Sequence, residues 1–159
     1  MGDQASLDTL GRRSSADASI DWVRLAGLAG VCLDGVTTWF VFVIASYREL
    51  NPLLHGLWQS HPLFVAGYFG TIALVVSAST RRRGPVSTAM SAYMGVVMGI
   101  FGGLNNLLLF AFGAPGLLDL LAGTIGLSGV AVVVAIVPAC GLLVAGGAVS
   151  LRHGLVPWQ

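Results

Sequence analysis

The fold is decided by residues 25–47, LAGLAGVCLDGVTTWFVFVIASY, an apolar run with one acidic side chain, Asp34, and no basic one. A bilayer core of about 30 Å needs roughly 20 mainly apolar residues in a helix, so this run is long enough to cross a membrane. Three further apolar runs follow, at about 63–79, 87–112 and 127–151. The sequence therefore predicts an all-α, polytopic integral membrane protein with four transmembrane helices in one bundle, over residues 22–153.

Composition supports this fold class. Of the 159 residues, 55% are hydrophobic and 9% are charged, whereas soluble domains carry about 25% charged residues. The net charge of +1 argues against a nucleic-acid partner, which requires clustered cations. Residues 1–21 are polar and mixed in charge, which predicts a disordered cytoplasmic tail, and 154–159 form a short C-terminal tail.

The arginines predict the orientation, because arginine in short flanking loops favours the cytoplasmic side. Seven of them flank the runs on one side of the predicted membrane: Arg12, Arg13, Arg24, Arg81, Arg82, Arg83 and Arg152. The opposite loops contain only Arg48, which Glu49 balances. We therefore expect a multi-pass protein of the plasma membrane with both termini in the cytoplasm.

Small residues predict how the helices pack, since lipid tails give apolar helices no hydrophobic reason to associate. A ridge in the third run consists of Gly95, Gly99, Gly102 and Gly103. The fourth run repeats the four-residue spacing with alanines, at Ala131, Ala135 and Ala139. Such a glycine ridge favours packing within the chain, although a homodimer or a larger membrane complex uses the same spacing.

Asp34 is the most informative polar residue. It lies ten residues past Arg24, about 15 Å along a helix and near the bilayer centre, where a charge costs about 2.5–3.5 kcal/mol on insertion scales. Thr38 lies four residues on and Thr37 flanks the same face, so Asp34 is expected to face the bundle. Two interpretations stay open: a structural hydrogen bond to Thr37 or Thr38, and contact with an ion, a proton or a ligand.

Asn105 and Asn106 are the predicted partners of this polar site. Asn106 lies four residues after Gly102, on the bare face of the third helix, where close approach to another helix is possible. If the first and third helices are neighbours, Asn106 reaches Thr38. The two asparagines either lock the packing or complete the site.

A second candidate site lies at the predicted outer mouth, where Glu49, Asn51 and Pro52 follow the first span. Pro52 stops that helix, and Asn51 is a suitable N-cap for a short helix over 52–60. Glu49, Asn51 and the last helical carbonyls are candidate cation ligands, but a plain turn explains them as well. Residues 113–126 predict an interfacial or re-entrant helix.

Metal and cofactor sites are not expected. His55 and His61 are six residues apart, which does not match zinc-ligand spacing, and the chain contains no phosphate-binding loop or nucleophile motif. With one intramembrane acid and no activated nucleophile, an enzyme is the third choice.

Four short elements give the chain a resemblance to a known family: Asp34 with Thr37-Thr38, Glu49, Asn51-Pro52, and Asn105-Asn106. The combination resembles a prokaryotic family of small multi-span membrane proteins catalogued as domain of unknown function 5658. The resemblance covers the chain from about Ala26 to Leu108. It implies an integral membrane protein and no established activity, so no catalytic residue is carried over.

The favoured function is a membrane-embedded accessory, sensory or ligand- and ion-binding module centred on Asp34, with the lipid bilayer as its surroundings. The alternative is a subunit of an oligomeric proton- or ion-coupled small transporter. Four helices are few for an alternating-access carrier, and the two halves of the chain show no clear self-similarity. This favours the binding module over the carrier.

Overall fold

The computed structural model describes residues 21–44, 49–80, 84–113 and 116–154, which form helices and, within these ranges, no strand. Four helices are long and apolar enough to cross a membrane and pack together: α1 Trp22–Val43, α3 Pro62–Thr80, α4 Pro85–Phe112 and α6 Gly129–His153. Two short helices, α2 Pro52–Ser60 and α5 Leu117–Ile125, connect them. This confirms the predicted all-α fold class.

Several sequence predictions lie outside the described residues. They are the tail over 1–20, the first span's predicted end at 45–47, Arg81, Arg82, Arg83, residues 114 and 115, and the tail end at 155–159. Within the described part, three helices begin at proline. They are α2 at Pro52, α3 at Pro62 and α4 at Pro85, where a missing N–H costs no hydrogen bond.

The closest helix contact joins α1 to α4. A Cβ atom on Gly30 would lie 2.9 Å from the backbone nitrogen of Gly99, and one on Gly27 would lie 2.7 Å from the carbonyl oxygen of Ser91. Distances below 3.0 Å leave no room for a side chain, so glycine is required at both positions. The glycine ridge of α4 therefore packs against α1 within the same chain.

α6 packs on α4 through a different face from the one that its alanine spacing indicates. Ala135 and Ala139 are exposed. Gly141 lies against α4 instead, where an added Cβ would be 2.6 Å from a side-chain carbon of Val97 and 2.8 Å from the ring of Tyr93. One buried glycine thus determines the approach of α6 more than three regularly spaced alanines.

Both α4 and α6 contain a π-helical segment, Gly95–Leu104 in α4 and Val132–Ile136 in α6. A π segment inserts extra residues into a helix and turns the side chains that follow it, and such segments occur frequently at functional sites. Here both segments contribute to the wall of one internal cavity, described below.

A cluster of charges joins the start of α1 to the end of α6. Asp21, which the sequence places in the tail, caps α1: its Oδ1 accepts a 3.4 Å hydrogen bond from the Arg24 N–H. Its carboxylate oxygens also lie 2.6 Å from Arg24 Nε and 2.6 Å from Arg152 Nη1. The Arg152 hydrogen bond holds the pKa of Asp21 below its usual value.

Asp21→Asn is expected to reduce the free energy of unfolding by about 0.5–1 kcal/mol at neutral pH, because it removes two ion pairs at a partly exposed position and keeps a side chain that caps helices. Since the folded-state pKa is lowered, this stabilisation is present above the ordinary value of 3.8 and is lost as the pH falls through the folded-state value. Melting curves of parent and variant should therefore converge in acid. An equal difference at neutral and acidic pH would contradict the ion-pair explanation.

Candidate functional site

Asp34 belongs to a hydrogen-bonded network between α1 and α4. The residue is only 7% exposed, and its Oδ1 accepts a 3.0 Å hydrogen bond from Thr38 Oγ1. Asn106 Nδ2 of α4 donates to both Thr37 Oγ1 and Thr38 Oγ1, each at 3.2 Å. Asp34 and Thr38, four residues apart on α1, are therefore linked to Asn106 of α4 through the Thr38 hydroxyl.

The network continues through Asn105 to the short helix α5. Asn105 Nδ2 donates to Asn106 Oδ1 at 3.4 Å, and Asn105 Oδ1 accepts a 3.0 Å hydrogen bond from the Leu118 N–H. Asn105 thus accepts a hydrogen bond from one of the N–H groups at the start of α5 that have no partner within the helix. The structure brings together all five predicted intramembrane residues, Asp34, Thr37, Thr38, Asn105 and Asn106, and fixes α5 against them.

Gly102 leaves the space that the Asp34 carboxylate occupies. A Cβ atom on Gly102 would overlap that carboxylate, and one on Gly103 would lie 2.6 Å from Leu33 Cγ. Gly102 and Gly103 therefore have two functions: they let α1 and α4 approach closely, and Gly102 also makes room for a polar group inside the contact.

One face of this network lines a cavity of about 560 Å³ inside the bundle. The cavity is bounded by all four long helices, by α2 and α5, and by the turn at Glu49. Asp34, Thr38, Asn105 and Asn106 line it. Among the described residues, no donor hydrogen-bonds to the second carboxylate oxygen of Asp34. Asp34 therefore presents a carboxylate oxygen without a described donor at the wall of a space large enough for a small ligand.

Three polar residues of the cavity wall are not among the site residues that the sequence predicts: Tyr68 of α3, Tyr93 of α4 and Asp119 of α5. Tyrosines inside apolar spans carry a hydroxyl that seeks a polar partner, and this was the available signal for two of them. Asp119 accepts a 3.2 Å hydrogen bond from the Gly116 N–H. Its place in the wall depends on the folding back of α5, which no local pattern indicates.

The predicted outer-mouth residues form a tight turn at the edge of the same cavity. Glu49 Oε1 accepts a 2.7 Å hydrogen bond from the Asn51 N–H, and Asn51 Oδ1 accepts one of 3.0 Å from the Leu53 N–H. Asn51 is the N-cap and Pro52 the first residue of α2. Burial raises the pKa of Glu49, although the Asn51 and Leu50 N–H groups partly oppose the shift.

Glu49 and Asn51 line the cavity, whereas Pro52 does not. The two sites proposed from the sequence are therefore two parts of one cavity wall. Within the described ranges, no three His, Cys, Asp or Glu side chains cluster closely enough to hold a metal ion. The arrangement offers hydrogen-bond acceptors, amides and aromatic rings, which are groups that bind and orient a ligand.

Comparison with known proteins gives no match to a protein-family model, a curated protein or a solved structure. The resemblance to the domain family of unknown function named above therefore stays a prediction.

Proposed function

We propose that this protein is an integral membrane protein that binds a small ligand in the cavity beside Asp34, as a sensory or accessory module of the membrane. The observation that carries the proposal is the buried Asp34 carboxylate at the wall of a cavity of about 560 Å³. Carboxylates inside membrane spans are rare and mark ion, proton or ligand sites by default.

The competing explanation, in which the polar residues only lock the helices together, accounts for Thr37, Thr38 and Asn106. It does not account for the cavity. Protein interiors are close-packed, with few voids larger than a water molecule, and a locking hydrogen bond needs no space beside it. Three acidic residues, Asp34, Glu49 and Asp119, line this space, which favours a site that is filled by a ligand.

The proposed orientation puts the Asp21 end of the bundle in the cytoplasm and the Glu49 end outside. It is supported by Arg24 and Arg152, which both lie at the Asp21 end, and by the tendency of arginine to stay on the cytoplasmic side. In this orientation both termini are cytoplasmic, and the ligand reaches the cavity from outside past Glu49. The membrane in this proposal is the plasma membrane. A homodimer or a larger complex is compatible with this arrangement.

Asp34→Asn tests the proposed function, because asparagine keeps the size of the side chain and an acceptor for Thr38 but removes the charge. The melting temperature of the detergent-solubilised protein is measured at several pH values and in the presence of Na⁺, K⁺, Mg²⁺, small alcohols or small amines. At least one of these should raise the melting temperature of the parent, since a ligand at 100 times its dissociation constant stabilises the folded state by about 2.7 kcal/mol. Asp34→Asn should lose that rise.

Asp21→Asn is the matched control, because it makes the same acid-to-amide change at the far end of α1. It should keep the ligand-dependent rise. A screen in which no compound raises the melting temperature, or a rise that Asp34→Asn retains in full, would refute a binding site at Asp34 and favour the purely structural explanation.

A further inference from the structure

We infer that the ligand of this cavity is a small organic cation with an ammonium group; this inference rests on the proposed function and specifies its ligand class. The first support is the charge of the wall. Asp34, Glu49 and Asp119 line the cavity, and none of the described lining residues is Arg, Lys or His. His55 acts on Glu49 electrostatically but does not line the cavity.

The second support is the incomplete hydrogen bonding of Asp34. Thr38 donates to one carboxylate oxygen, and no described residue donates to the other. A largely buried carboxylate with a single hydrogen-bond donor is costly, and a cation with N–H donors or a diffuse positive charge compensates it. Asp34 lines the cavity, so a cation bound there is positioned to donate to the second carboxylate oxygen and to balance its charge.

The third support separates an organic cation from a metal ion. Tyr68, Tyr93 and Phe101 line the same cavity as the three acids. Aromatic faces attract ammonium groups through cation–π interactions. Metal ions instead require several ligands at short distance, and no three His, Cys, Asp or Glu side chains of the described residues cluster closely enough to hold one.

The size of the cavity agrees with an organic ligand. Its volume of about 560 Å³ falls within the range of roughly 300–1,000 Å³ that is typical of small-molecule sites. It greatly exceeds what a bare ion fills. The mixture of acids, amides and aromatic rings thus fits a compact amine or quaternary ammonium compound.

The test compares each cation with a neutral compound of the same shape. Choline is compared with 3,3-dimethylbutan-1-ol, in which carbon replaces the charged nitrogen, and 1,4-diaminobutane with butane-1,4-diol. Dissociation constants are measured by titration calorimetry on the full-length protein in detergent. We expect at least one cation to bind at least tenfold more tightly than its neutral counterpart, and Asp34→Asn to abolish that preference while Asp21→Asn retains it.

Asp119→Asn provides a second variant in case Asp34→Asn fails to fold, because Asp119 lies on the short helix α5 and asparagine keeps its acceptor oxygen. It should reduce the preference for the cation at least threefold. If the neutral compounds bind as tightly as the cations, the inference of a cationic ligand is wrong while the binding site stands. If neither member of either pair binds, the inference is also wrong, and the broader screen above decides whether the binding site itself fails.

Discussion

Gly27→Ala is expected to destabilise the bundle by about 3 kcal/mol, at the upper end of what an overpacked contact costs. The added methyl group would lie 2.7 Å from the Ser91 carbonyl oxygen and 2.8 Å from its Cα. Both atoms are backbone, so no side-chain rotation relieves the overlap, and α1 must move away from α4. The loss exceeds the gain of about 1 kcal/mol that alanine otherwise brings to a helix. Equilibrium unfolding in mixed detergent micelles measures the difference.

Gly67→Ala is the matched control for this prediction. Gly67 lies in α3, where an added Cβ meets nothing within 4 Å, so the same substitution should leave stability unchanged or raise it slightly. If Gly27→Ala and Gly67→Ala unfold alike, then α1 and α4 adjust to a methyl group at no measurable cost. In that case the close approach at Gly27 is not a source of stability.

The sequence predicts those parts of the site that depend on helical spacing. Asp34, Thr37 and Thr38 share a face of α1 because residues three and four apart are neighbours on a helix. The glycine ridge of α4 indicates where another helix approaches. If α1 and α4 are neighbours, these patterns place Asn106 near Thr38, and the structure contains that contact at 3.2 Å. Periodicity gives the faces of the two helices, but which helices are neighbours comes from the folded bundle.

Other parts depend on where helices cross and how connecting segments fold back, which spacing does not encode. Gly27 approaches the Ser91 backbone, and α6 packs through Gly141 while its regularly spaced Ala135 and Ala139 are exposed. The glycine and alanine patterns are equally regular, but only the pattern on α4 faces a neighbour. Regular spacing of small residues permits a contact and does not create one.

The cavity is the feature least accessible to sequence reasoning, because six helices contribute to its wall. Tyr68 and Asp119 belong to α3 and α5 and join Asp34 only in the folded bundle. The π-helical segment of α4 turns the residues that follow it, so the face that carries Asn105 and Asn106 does not continue the register of Pro85–Met94. A void also leaves no mark in composition. These relations require the tertiary structure.

Gly102→Ala is expected to weaken the binding of choline, one of the two cations named above, by about 100-fold. Its methyl group would overlap the Asp34 carboxylate. The carboxylate must then leave its place and lose the Thr38 hydrogen bond, or α4 must move away. Overpacking of this kind costs about 1–3 kcal/mol, and every 1.4 kcal/mol corresponds to about tenfold in affinity. Titration of choline into parent and variant measures the loss.

Two comparisons separate this explanation from a general loosening of the bundle. Gly95→Ala adds the same methyl group to the same π segment, but at 3.5 Å from the Ala26 backbone, an ordinary contact, and it should retain choline binding.

The double variant Asp34→Ala with Gly102→Ala removes the overlap. If the carboxylate is what the methyl group displaces, then Gly102→Ala should lower stability in the parent and have little effect in the Asp34→Ala background, because contacting residues are energetically coupled. Equal destabilisation in both backgrounds would mean that the methyl group meets atoms other than the Asp34 carboxylate. The space beside Gly102 would then not be what accommodates Asp34.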